Sequence, residues 1–139
     1  MRTWFHGSKK WKLILDKGFD IEAPRATDVG DFGWAIYLTK DQIRAKVHGK
    51  ILTVSFEIDR MAKIFNPYCI DKDLKPSVPE TPEEILFHTL AFSPEGDMLT
   101  IHGTPQEKEQ ISKQIRKEFL QRGFTGILSD KHGEAAIFD

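Results

Sequence analysis

Three polar side chains stand where apolar strands have no need of them. His6 closes the run Thr3-Trp-Phe-His6, Tyr37 lies within Trp34-Ala-Ile-Tyr-Leu38, and Glu134 opens Glu134-Ala-Ala-Ile-Phe138. A carboxylate at the mouth of a buried strand must be solvated, paired or used, because leaving it dry and alone costs several kcal/mol. Each residue has an ordinary alternative: a half-buried strand histidine, a tyrosine that packs its ring and wets its hydroxyl, a solvated strand-end glutamate. Their neighbours add weight to the chemical reading. Gly7 follows His6, and without a Cβ it lets a flat ligand group reach its N–H and C=O. Gly33 leads into the strand of Tyr37, and Gly123-Phe-Thr-Gly-Ile127 precedes Glu134.

The elements that must position these residues follow from pattern. Thr3 to His6 reads as a first strand stopped by Gly7, after which Ser8 N-caps a short helix with Trp11, Ile14 and Leu15 inward and Gly18 at its C′ position. Phe19 to Gly33 is a long polar loop containing Pro24 and two glycines. Trp34 to Leu38 is a buried strand. Thr39-Lys-Asp-Gln42 has capping-box spacing, so a helix should follow and end at Gly49. From Ile51 to Ile58 the chain alternates, with Leu52, Val54, Phe56 and Ile58 on one face. Ile64-Phe65 is a brief apolar pair at a sheet edge, and Pro67 to Pro82 is a surface connection. Thr81-Pro-Glu-Glu84 and Thr104-Pro-Gln-Glu107 each announce a helix with proline at N1. The second places Ile111, Ile115 and Phe119 on one stripe and stops at Gly123.

At 139 residues, 40% hydrophobic and 29% charged, residues 1–139 read as one globular domain able to bury a core. Short strands interleaved with short helices give an α+β fold. Twenty basic and 21 acidic residues leave a formal charge of −1, so no global field draws the protein to nucleic acid or to anionic membrane. The single cysteine, Cys69, excludes an internal disulfide and fits a reducing, cytoplasmic setting. No apolar run approaches a membrane span, and His88, His102 and His132 are too scattered to propose a metal.

The three motifs, in this order, resemble the ADP-ribosyltransferase superfamily, in particular its His-Tyr-Glu branch of diphtheria-toxin-like and poly(ADP-ribose)-polymerase-like enzymes. The family's Tyr/Phe-His-Gly-Thr/Ser corresponds to Phe5-His6-Gly7-Ser8, and its Gly-x-x-Phe/Ile-Tyr-Phe/Leu-Thr to Gly33 through Thr39. Its glutamate-led last strand corresponds to Glu134 through Asp139, preceded by Gly123 to Ile127. The likeness covers the first ~50 and last ~15 residues. It implies a split, mixed or antiparallel β-sheet with short flanking helices, NAD as co-substrate, and transfer of ADP-ribose to a protein or nucleic-acid acceptor with release of nicotinamide, by a monomer without a membrane partner.

By that resemblance Glu134 is the catalytic residue. It hydrogen-bonds the ribose 2′-hydroxyl and stabilises an oxocarbenium-like transition state. Nicotinamide leaves as a neutral base, so one carboxylate suffices. His6 would hold the adenosine ribose, with Ser8 completing its motif, Tyr37 would stack on the nicotinamide ring, and the Gly7 main chain would grip the carboxamide. Arg25, the only cation between Phe19 and Gly33, is the candidate for the pyrophosphate. Two departures matter. His132 stands where arginine-modifying relatives carry a second glutamate or glutamine, which makes arginine an unexpected acceptor. Counting from Tyr37 to the family's later serine and aromatic lands near Ala45 and His48, leaving His48 as a candidate second lid or as a solvated helix-end residue. If the acceptor is nucleic acid, the basic face at Lys113, Arg116 and Lys117 is where it would lie. The alternatives are a NAD glycohydrolase on the same scaffold and a non-catalytic module that binds a nucleotide or a protein partner.

Overall fold

The computed structural model describes residues 2–20, 30–65, 67–68 and 78–138. Six strands form one mixed sheet: β1 (Arg2–Ser8), β2 (Ile36–Thr39), β3 (Lys50–Phe56), β4 (Met61–Lys63), β5 (Gly126–Ser129) and β6 (Glu134–Ile137), in the spatial order β3-β1-β2-β6-β5-β4. Among the described residues five helices accompany them: α1 (Trp11–Lys17), α2 (Gln42–Lys46), α3 (Pro82–Ala91), α4 (Leu99–His102) and α5 (Pro105–Gln121). All neighbouring strands are antiparallel except β4 and β5. The α+β class read from the sequence is therefore found. Among the described residues no helix is long and apolar enough to cross a membrane.

The ladder is uneven. β1 pairs with β3 over seven positions, from Arg2↔Phe56 to Ser8↔Lys50, and β2 pairs with β6 over four. Between β1 and β2 the single paired position is Phe5↔Thr39. A seam thus crosses the sheet, with β3 and β1 on one side and the other four strands on the other.

One face of the larger side carries the main core. Ile127, Ala136 and Ala62 meet Phe87 and Ala91 of α3 and Ile115 and Phe119 of α5, all essentially without exposure. The helix α5 owes its start to Thr104: its hydroxyl accepts from the Glu107 N–H while the Glu107 carboxylate accepts from the Thr104 N–H, the full reciprocal box. Trp4, Leu38, Phe56, Met61, Leu128 and Ala135 form a second cluster on the reverse face.

Several local expectations are corrected. Gly7 does not stop β1, which continues to Ser8 because Gly7 pairs with Ile51. Ser8 does not cap α1; its hydroxyl accepts from the Lys10 N–H, and Lys10 holds the cap position without a side-chain bond. Gly18 does end that helix, but α1 buries no residue and Leu15 faces solvent. The capping box at Thr39 does not form. Thr39 stays on β2, where pairing to Phe5 and Glu134 holds it, and Asp41 caps α2 through the Ile43 N–H. The edge strand falls at Met61–Lys63 rather than at Ile64-Phe65; Ile64 is buried and Phe65 exposed. The loop between Phe19 and Gly33 and the Pro67–Pro82 connection lie largely outside the described residues, Arg25 and Cys69 among them.

Candidate active site

Glu134 is the first residue of β6, facing Thr39 of β2 on one side and Ser129 of β5 on the other. The turn before it sets its direction. Gly133 adopts φ 63° and lies against the Lys40 side chain; its N–H donates to the Asp130 carbonyl, and its carbonyl accepts from the Lys40 N–H. A left-handed residue is inexpensive only for glycine. Arg2 pins the same turn through an ion pair with Asp130.

The Glu134 carboxylate is 15% exposed and partnered. Arg44 of α2 places Nη2 2.5 Å from Oε1. The Tyr68 hydroxyl lies 3.4 Å from Oε2 and donates its proton to Asp31 Oδ2 at 2.8 Å. Burial, then the charges of Asp31 and Glu134, push the Tyr68 phenol far above its ordinary value, so it serves as a neutral donor. Thr100 anchors this arm by donating to the Asp31 carbonyl at 2.8 Å. The His132 ring stands edge-on to Tyr68, 5.1 Å between centroids. Burial lowers its pKa against the opposing pull of Glu134, leaving it neutral at pH 7. Ser129, across the ladder from Glu134, is fully buried, and its Oγ has no hydrogen-bond partner among the described residues.

Tyr37 shares the face of Glu134, two residues from Thr39 on the same strand. Its hydroxyl is not wet. It donates to the Gly33 carbonyl at 2.6 Å and accepts from the Phe32 N–H at 3.0 Å. Gly30 presses on the ring so closely that a Cβ there would lie 2.3 Å from Cζ. Burial and the charge of Asp31 raise the phenol well above its ordinary value.

By strand alternation His6 projects from the reverse face, the one that carries Trp4. Its link to the site is the Tyr37 backbone: Nδ1 lies 2.7 Å from the Tyr37 carbonyl oxygen, which can only accept, so the proton is on Nδ1 and Nε2 is an acceptor. Phe19 packs edge-on at 5.0 Å. Burial, aided by repulsion from nearby His48, lowers the His6 pKa against that hydrogen bond. His48 itself is exposed just beyond α2. Gly7 is on the Glu134 face, and the space its Cβ would fill belongs to the Ala45 carbonyl of α2, 1.6 Å away. Its missing side chain admits a helix.

The structure thus joins Tyr37 directly to the surroundings of Glu134 and brings in His6 across the seam through the Tyr37 backbone. It adds Asp31, Arg44 and Tyr68, which sequence patterns did not single out. Only strand register could have found Arg44, which sits in the short helix that follows the residue paired with Glu134. Comparison with protein-family models, with curated sequences and with solved structures gives no match.

Proposed function

We propose that the chain is an ADP-ribosyltransferase that takes NAD as co-substrate. The observation that carries the reading is a shielded carboxylate, Glu134, on the same sheet face as Tyr37, with a neutral histidine bound to the Tyr37 carbonyl at the seam beside them. These are the residue types that the three ordered motifs imply. Glu134 would accept a hydrogen bond from the nicotinamide-ribose 2′-hydroxyl and stabilise the positive charge that develops at the neighbouring carbon. His6, its Nδ1–H committed to Tyr37, keeps Nε2 as an acceptor for a hydroxyl of the other ribose. Arg25, the pyrophosphate candidate, lies outside the described residues; Arg44 is a further cation beside Glu134, and a diphosphate entering there would offer its guanidinium a second anion.

The reading also makes demands. Tyr37 has Gly30 against its ring and Gly7 has Ala45 over it, so stacking and carboxamide recognition require the Gly30–Gly33 turn to lift or α2 to shift. Tyr68, a neutral phenol between Asp31 and Glu134, would be able to turn its one proton from Asp31 to the catalytic carboxylate. Incubation with NAD labelled in the adenylate half should give nicotinamide release and a labelled acceptor. Glu134→Gln should lower turnover by about a hundredfold or more, as loss of a transition-state charge partner does. Equal activity in Glu134→Gln would overturn the assignment, and free ADP-ribose without a labelled macromolecule would identify water as the acceptor.

A further inference from the structure

The corner where β1, α1, α2 and β3 meet is built closely and left open. Gly49, at φ 135°, sits against the backbone of Ser8 and Lys9, with no room for a Cβ. That contact brings the start of α1 and the end of α2 together, and Lys50 reaches across to place Nζ 4.0 Å over the Trp11 ring. On the outer side of α2, Ile43 and Val47 stand one turn apart and are 79% and 77% exposed. Beside them runs a groove of about 530 Å³ lined by Gln42, Ile43, Lys46, Gly49, Lys50 and Ile51. Exposed aliphatic side chains at this spacing gain nothing from water and offer anchors to a partner.

Charge selects the partner. Residues 9–17 and 46–50 hold six lysines and one aspartate, in a chain whose formal charge is −1. The excess is therefore local, and the rest of the molecule is acidic. The groove has lysines and aliphatic side chains but no arginine and no aromatic face for a base to stack on. Trp11, nearby, is engaged by Lys50 and Lys12. Single-stranded nucleic acid is bound by stacking rings together with cations, and an interfacial membrane segment needs a broad convex apolar face. A concave aliphatic groove fringed by lysine suits neither.

We propose that this groove docks an acidic amphipathic helix of a partner protein, with aliphatic anchors at i and i+3 or i+4 against Ile43 and Val47 and with carboxylates facing Lys46 and Lys50. The inference stands apart from the NAD reading, because Glu134, Tyr37 and His6 do not line this groove. The two are neighbours all the same. The short helix α2 offers Arg44 to Glu134 from one side and Ile43 and Val47 to solvent from the other.

The test is a selection from a displayed library of helical peptides with randomised charge and apolar spacing, run on the 139-residue chain. Enriched peptides should combine Leu or Ile at helical spacing with flanking Asp or Glu. Ile43→Asp with Val47→Asp should weaken a selected synthetic peptide about tenfold or more, the effect of losing an anchoring side chain. Lys46→Glu with Lys50→Glu should weaken it further at low salt than at high salt. All four side chains are on the surface, so unchanged circular dichroism separates lost binding from lost fold. Enrichment of peptides without acidic residues, or binding indifferent to the Ile43 and Val47 changes, overturns the proposal. So does tighter, lysine-dependent binding of an oligothymidylate or of phosphatidylserine vesicles than of any selected peptide.

Discussion

The two sides of the β1–β2 seam are held together by different means. On the larger side, β2, β6, β5 and β4 lie under α3 and α5, and the contact consists of Phe87, Ile115, Phe119, Ile127 and Ala136, none of them exposed. On the smaller side, β1 and β3 are joined by a long ladder but flanked by α1, which buries nothing, and by five-residue α2, which buries only Ala45. The candidate site draws from both. Glu134 and Tyr37 come from the packed side, His6, Gly7 and Arg44 from the lightly covered one. On the proposed NAD reading, a substrate would have to enter between Tyr37 and the groups covering it, and the lightly covered side is where those groups would have to give way.

The contrast is broken most directly in the core. Phe119→Ala removes a fully buried ring that touches Phe124 and Phe138, and it should cost about 3–5 kcal/mol in urea unfolding. Leu15→Ala, at the exposed face of α1, should cost under about 0.5 kcal/mol. Similar costs for the two would mean that the sides of the seam are equally packed. The next effect is smaller and falls on the seam itself. Gly7→Ala drives a methyl group into the Ala45 carbonyl, so α2 must move away at a cost of about 1–3 kcal/mol. Arg44 moves with it, and the Glu134 carboxylate should lose its cation, seen as a changed Arg44 guanidinium N–H signal in NMR. An unchanged Arg44 signal would show that the ion pair does not depend on how α2 seats on Gly7.

How far the sequence revealed this division depends on the range of the cause. The helix α5 was legible because Thr104, Pro105 and Glu107 satisfy its first N–H groups locally and Ile115 and Phe119 repeat at its period. β3 was legible because Leu52 and Phe56 alternate with polar neighbours, and Glu134 because a charge at a strand mouth stands out. The start of α2 was not, since Thr39 and Asp41 are both good caps and only pairing with Phe5 and Glu134 keeps Thr39 in the sheet. Arg44, Asp31 and Tyr68 converge on Glu134 from 90, 103 and 66 residues away in the chain, with no periodicity to announce them. A second strand residue on the reverse face, His6, looked like a companion to Tyr37 by motif, and alternation across the ladder separates their side chains.

The smallest expected effect compares two histidines, one from each side. Burial lowers both His6 and His132 below the ordinary ~6.5. In the interval between the folded and unfolded values the unfolded chain binds more protons, so stability rises with pH there. The contribution is complete above about 6.5 and is lost as pH falls through the folded value. His6 should dominate, because its ring is packed by Phe19 and held to Tyr37 while repulsion from His48 adds to the lowering; at His132 the neighbouring Glu134 carboxylate favours the proton and offsets part of the burial. Urea midpoints between about pH 5 and 8 should therefore flatten more in His6→Gln than in His132→Gln. A glutamine at position 6 still offers an N–H to the Tyr37 carbonyl, so the bond is kept while the titration is removed. Equal flattening in the two variants would mean that burial weighs on both histidines alike and would overturn the ranking of His6 above His132.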